Sequence, residues 1–154
     1  MDLVRLTRAA GADLIVNDRA DIARLANASG VHVGQDDLPV DAARAVVGAS
    51  AIVGVSTHDE AQIASAVRTT ATYIAVGPIY GTTTKDTGYS ARGLDLVRHA
   101  ARSGRSVVAI GGITLDRAPE VIAAGAASVA VISDLLVGGD PAQRVREFLG
   151  RLPQ

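Results

Sequence analysis

Acidic, hydroxyl-bearing and glycine residues recur where short apolar runs end, and their types suit a phosphate ligand. Asn17-Asp18 closes one run and Gln35-Asp36-Asp37 closes the next. If the two runs are neighbouring parallel strands, about 4.8 Å apart, Asp18 and Asp37 could share one hard cation at their tips. Magnesium suits such a place because it takes a few carboxylates, keeps water and completes its shell with substrate phosphates. Capping of the following helix is the other reading of either aspartate alone; the pair favours the site. Asp36 reads as a turn residue.

The stretch GPIYGTTTKDT, residues 77–87, sets three successive threonines beside one lysine. A loop that only turned the chain would need glycine or proline and few polar side chains. Thr82 and Thr84 offer hydroxyls, and Lys85 a point charge able to neutralise a departing phosphate. Ser56, at the end of another run, adds a hydroxyl. The competing reading is a solvated lid, but long loops in compact chains are more often functional than idle. Thr83, Thr87 and Ser90 are given no role.

Gly111-Gly112 follows a further run, and Val131-Ile132-Ser133 closes the last one. Glycine lets the backbone come close to an anion, and barrel loops of this position, together with a helix N-terminus, commonly hold phosphate. A helix is expected to begin near Thr114. The glycine pair also fits a plain tight turn. Of the histidines, His99 reads as solvated helix surface and His32 as a hydrogen-bonded side chain inside a strand. His58, at the functional end, is the acid–base candidate. No metal-binding histidine pair and no nucleophile elbow occur.

These residues must be positioned by six β-rich runs, at residues 14–17, 30–34, 52–56, 73–77, 107–111 and 128–133. Most are almost continuously apolar, as strands covered on both faces are. Helical periodicity fills residues 59–68, 93–102 and 116–124, and a further helix is read over 2–10. Such alternation requires a parallel sheet with helical crossovers. Polar residues after nearly every strand, without a G-x-G-x-x-G fingerprint, favour an α/β chain of the (β/α)8 TIM-barrel type over a doubly wound sheet. No linker divides residues 1–154, which read as one domain. Six runs stand where this barrel takes eight, so two βα units are expected to be missing at the N-terminus. A six-stranded piece would leave sheet edges exposed.

Composition sets the outer limits. The 154 residues are 48% hydrophobic and 20% charged, with a net charge of −1, so a folded core is expected. Without a basic run, and with 3% aromatics, nucleic acid is not an expected partner. No apolar stretch approaches the roughly 18 residues of a membrane span. Having no cysteine excludes a disulfide framework and fits a cytoplasmic address. Pairing with a second copy of the chain, as a homo-oligomer, is left open.

Six ordered motifs together resemble one family, thiamine phosphate synthase. They are Val16-Asn17-Asp18, Gly30 to Asp37, Gly54-Val55-Ser56-Thr57-His58, Gly77-Pro78-Ile79-Tyr80 with Thr82-x-Thr84-Lys85, Ile110-Gly111-Gly112-Ile113, and Val131-Ile132-Ser133. The resemblance implies an enzyme joining hydroxymethylpyrimidine diphosphate to a thiazole phosphate with loss of pyrophosphate. In that family the pyrimidine diphosphate ionises first and the thiazole nitrogen captures the carbocation. Carried over, Asp18 and Asp37 would ligate Mg2+ and Asn17 would lie near the pyrimidine. Ser56 and Lys85 would hold the pyrophosphate, and Thr82 and Thr84 the thiazole phosphate. Its phosphate would rest on Gly112, Ile132 and Ser133, the last two through their backbone. Gly81 departs from a proline usual in the family. The family's first two strands also carry a glutamine and basic residues that grip the diphosphate, for which nothing here substitutes. Two other readings share the motifs: a thiazole isomerase of the same fold using His58 as proton shuttle, and a non-catalytic thiazole phosphate or thiamine phosphate binder.

Overall fold

Each strand pairs in parallel with the next, in a six-stranded sheet whose order follows the chain. The structure, a computed structural model, describes residues 2–82 and 88–152. Helix α1 (Leu3–Ala9) precedes β1 (Ile15–Asn17), α2 (Ala20–Leu25), β2 (Gly30–Val33) and α3 (Val40–Val47). Then come β3 (Ile52–Thr57), α4 (Glu60–Val67), β4 (Tyr73–Val76), α5 (Gly93–Ala101) and β5 (Ser106–Ile110). The chain ends with α6 (Ala118–Ala123), β6 (Ser128–Ala130), a 3-10 segment (Ser133–Gly139) and α7 (Pro141–Arg151). The sheet curls as a half-barrel with helices outside, the expected TIM-type α/β architecture.

Alternation along the strands decides what faces where. Val31, Val33, Val53, Val55, Ile74, Val76, Val107 and Ala109 are buried in the layer beneath the helices. The helices answer with small residues, Ala20, Ala23, Ala43, Ala66 and Ala100, around the larger Ile63, Val97 and Val121. Short side chains let the helix axes approach the sheet, so the core is mainly aliphatic, with Phe148 the aromatic side chain buried in it. The intervening residues, among them Asn17, His32 and Ser56, line the concave face.

At the strand-start end, cations serve the backbone. Arg105 donates to the carbonyls of Val67 and Thr69 at 2.7 and 2.9 Å, and Arg44 to that of Thr70 at 2.7 Å. These bonds satisfy one carbonyl that the end of α4 leaves orphaned and two more in the loop after it, so this end is structural.

Two boundaries differ from expectation. The last strand stops at Ala130 rather than Ser133, because Ile132 (φ −121°, ψ −77°) turns the chain into the 3-10 segment. The helix expected near Thr114 begins instead at Ala118. A turn intervenes, in which the Thr114 carbonyl accepts from the amides of Arg117 and Ala118. Among the described residues, no helix is long and apolar enough to cross a membrane.

Candidate active site

Asp18 continues the β1 ladder by one residue, its amide donating to the His32 carbonyl at 2.7 Å, and then takes a left-handed conformation (φ 63°). Aspartate tolerates that region better than most residues, and the bend carries its side chain to the cavity rim. Asp37 closes the loop after β2: its Oδ2 accepts the Gly34 amide at 2.7 Å. Helix α2 is entered through Arg19 and α3 through Pro39, neither with a side-chain cap. Helix capping therefore explains neither aspartate. Arg19 is committed elsewhere, to Asp21, whose carboxyl its hydrogen bond holds down to about 2.

Ser56 is held twice. Gln35 Nε2 donates to its carbonyl, and its Oγ lies 2.8 Å from His32 Nε2. His32 is thus hydrogen-bonded within the sheet as expected, but its partner is a candidate ligand. His58 is fastened in place: Nδ1 donates to the Gly77 carbonyl at 2.6 Å, and the ring stacks on Tyr89 at 4.0 Å between centroids. A carbonyl only accepts, so Nδ1 carries the proton.

The glycine pair after β5 packs directly on the loop after β4. A Cβ on Gly111 would lie 2.5 Å from Pro78 Cα, and one on Gly112 (φ 61°) 2.5 Å from the Gly81 carbonyl oxygen. Packing alone therefore requires both glycines, whatever they bind. Tyr80 secures the same contact: its hydroxyl donates to Glu120, and the Arg117 guanidinium lies 4.5 Å over its ring while donating to the Gly112 carbonyl. Because helix α6 starts six residues beyond Gly112, the pair does not sit on a helix N-terminus as expected.

The candidates converge. Asn17, Asp18, Asp37 and Ser56 line one cavity of about 670 Å³, and Thr82, Gly112, Ile132 and Ser133 line it too. This volume is within the range of small-molecule sites, about 300–1,000 Å³. Thr84 and Lys85 lie outside the described residues. Unforeseen from sequence were Gln35 as a support of Ser56, Tyr89 as the shelf under His58, and Tyr73, whose hydroxyl lies 2.9 Å from His32 Nδ1. A glycine inside β3, Gly54, was the available signal for Tyr73, since strand glycines mark close approach.

As a metal site the cavity is sparse. Among the described residues, no group of three or more histidine, cysteine or acidic side chains could hold an ion. Two hard carboxylates on adjacent loops fit a cation that brings its other ligands with it, as Mg2+ does with diphosphate oxygens.

The family model for thiamine monophosphate synthase matches residues 1–135. The chain belongs to this family. The thiamine-phosphate synthase of Koribacter versatilis is 50% identical over 88% of this chain and 64% of its own length. That of Mycolicibacterium smegmatis is 49% identical over 90% of this chain and 62% of its own. The chain therefore spans under two thirds of these thiamine-phosphate synthases. The thiamine phosphate pyrophosphorylase of Pyrococcus furiosus superposes with a TM-score of 0.87 at 31% identity, covering 97% of this chain and 71% of that one. A 3-hexulose-6-phosphate synthase (TM-score 0.68, 18% identity) shares the fold alone.

Proposed function

We propose that this cavity serves the coupling of hydroxymethylpyrimidine diphosphate to a thiazole phosphate, with release of pyrophosphate. The observation that carries the reading is convergence: ligand candidates after all six strands meet in a single cavity. In the reaction, the C–O bond from the pyrimidine methylene to the diphosphate breaks, its electrons leaving with the diphosphate. The thiazole ring nitrogen then donates its lone pair to the same carbon.

No strong base is required; the barrier falls with whatever stabilises the leaving group more than the bound substrate. Ser56 donates a hydrogen bond to the departing diphosphate, and Lys85 adds a positive charge beside it. Asn17 orients the pyrimidine. Thr82 and Thr84 hold the thiazole phosphate, whose phosphate rests on the backbone at Gly112, Ile132 and Ser133. Asp18 and Asp37 would hold Mg2+, which supplies charge neutralisation of the diphosphate oxygens when bound. The isomerase reading draws less support, because His58 is already engaged with Gly77 and Tyr89.

Thermal-shift titration with each substrate, with and without Mg2+, tests the reading. The diphosphate should stabilise the protein only with the metal present, and the thiazole phosphate should stabilise it either way. Turnover adds a second arm: Lys85→Ala should lower kcat by about a hundredfold with thiazole phosphate affinity nearly unchanged. A response to thiazole phosphate alone would instead identify a binder without turnover.

A further inference from the structure

We propose that Tyr73 and His32 are positioning residues that orient the Ser56 hydroxyl so that its proton points into the cavity. The inference rests on the reading of Ser56 as a diphosphate contact and adds what makes it a donor.

The relay is built by strand register. His32 on β2 pairs with Gly54 on β3, which pairs with Tyr73 on β4. A Cβ on Gly54 would collide with the Tyr73 hydroxyl and lie 2.6 Å from His32 Nδ1. Its absence opens a passage across β3, through which Tyr73 Oη comes within 2.9 Å of His32 Nδ1, with the rings stacked at 5.6 Å. Ser56, two residues beyond Gly54 on the same face, brings Oγ to 2.8 Å from Nε2.

Counting protons leaves two arrangements of a neutral ring, which has one N–H and one lone pair. With the proton on Nδ1, Nε2 accepts from Ser56. That consumes the only proton of the serine hydroxyl and turns its lone pairs toward the cavity, where they repel an anion. With the proton on Nε2, the ring donates to Ser56 Oγ, and the serine proton is available to a ligand. Nδ1 must then accept from Tyr73. A phenol is more acidic than an aliphatic alcohol, so it is the better donor and the poorer acceptor. The pair of partners therefore selects the second arrangement. A phenol of ordinary value, about 10, holds its proton at neutral pH, and burial pushes Tyr73 further up.

The test combines a ligand-free measurement with a binding cycle. Long-range 1H–15N correlation spectra of the histidine-labelled protein, with His32 assigned through a His32→Gln variant, should show its proton on Nε2. Inorganic pyrophosphate binding with Mg2+ is then measured for the unsubstituted protein, Tyr73→Phe, Ser56→Ala and the double variant, each checked for folding by circular dichroism. Tyr73→Phe should weaken binding by about three- to tenfold, the range of one hydrogen bond. It should cost nothing further in the Ser56→Ala background. His32→Gln, which keeps an N–H donor, should bind more tightly than His32→Leu. A proton on Nδ1, or an equal cost of Tyr73→Phe with and without Ser56, would overturn the relay. Unchanged binding in Ser56→Ala, with the proton on Nε2, would overturn the anion-binding reading of Ser56 instead.

Discussion

The hydroxyl of Tyr73 on β4 reaches His32 on β2 by crossing over Gly54 of the strand between them. Gly54→Ala therefore inserts a methyl group into an occupied space. The expected cost is about 1–3 kcal/mol, as for overpacking elsewhere, read as a lower urea midpoint with an unchanged slope. Stability equal to that of the unsubstituted protein would mean that Tyr73 does not occupy this passage.

Asp18 and Asp37 invite a charge-only substitution. Asn tolerates the left-handed backbone at position 18, so Asp18→Asn should fold with nearly unchanged stability, whereas Asp18→Ala adds about 1 kcal/mol of backbone strain. Each Asp→Asn change should abolish most of the gain in pyrophosphate affinity that Mg2+ provides, by about tenfold or more. Calorimetric titration with and without the metal measures it. If the metal-dependent gain survives both changes, the ion is held elsewhere.

His58 distinguishes support from proton transfer. It donates to the Gly77 carbonyl and stacks on Tyr89, so it braces the start of the loop after β4. His58→Ala should cost about 1–2 kcal/mol of stability and raise KM for the thiazole phosphate, with kcat falling less than tenfold. A general acid–base role predicts the reverse, a loss in kcat of about a hundredfold or more. Steady-state kinetics beside urea unfolding separate the two.

Tyr80 gives a pH signature. Burial, then its hydrogen bond to Glu120, push the phenol up to about 12. The folded value lies above the ordinary one, about 10, so the stability this contact contributes is complete below pH about 10. It is lost as pH rises through about 12. Titration followed by tyrosinate absorbance should show a component near pH 12 that disappears in Tyr80→Phe. A Tyr80 component near pH 10 instead would show that the phenol is neither buried nor held by Glu120.

Much of the candidate site was legible in position because strand ends can be read from where apolar runs stop, and these residues line one cavity there. Asn17-Asp18, Gln35 to Asp37 and Ser56 all fell where they were expected. Gly111-Gly112 was legible in place but not in cause: its glycines answer to Pro78 and Gly81, which are remote in sequence. The misplaced start of α6 has a local origin, since the Thr114 turn and the helix offer the same first carbonyl to donors.

Composition and period by themselves determined that the chain alternates strand and helix, that the sheet is parallel, and which side chains stand at its tips. These depend on near neighbours, and sequence order preserves near neighbours. Which tips share a cavity, and that a tyrosine 41 residues beyond His32 completes its hydrogen bonding, depend on register between strands. Register is fixed only when the whole sheet packs against its helices, so the tertiary structure alone decided it.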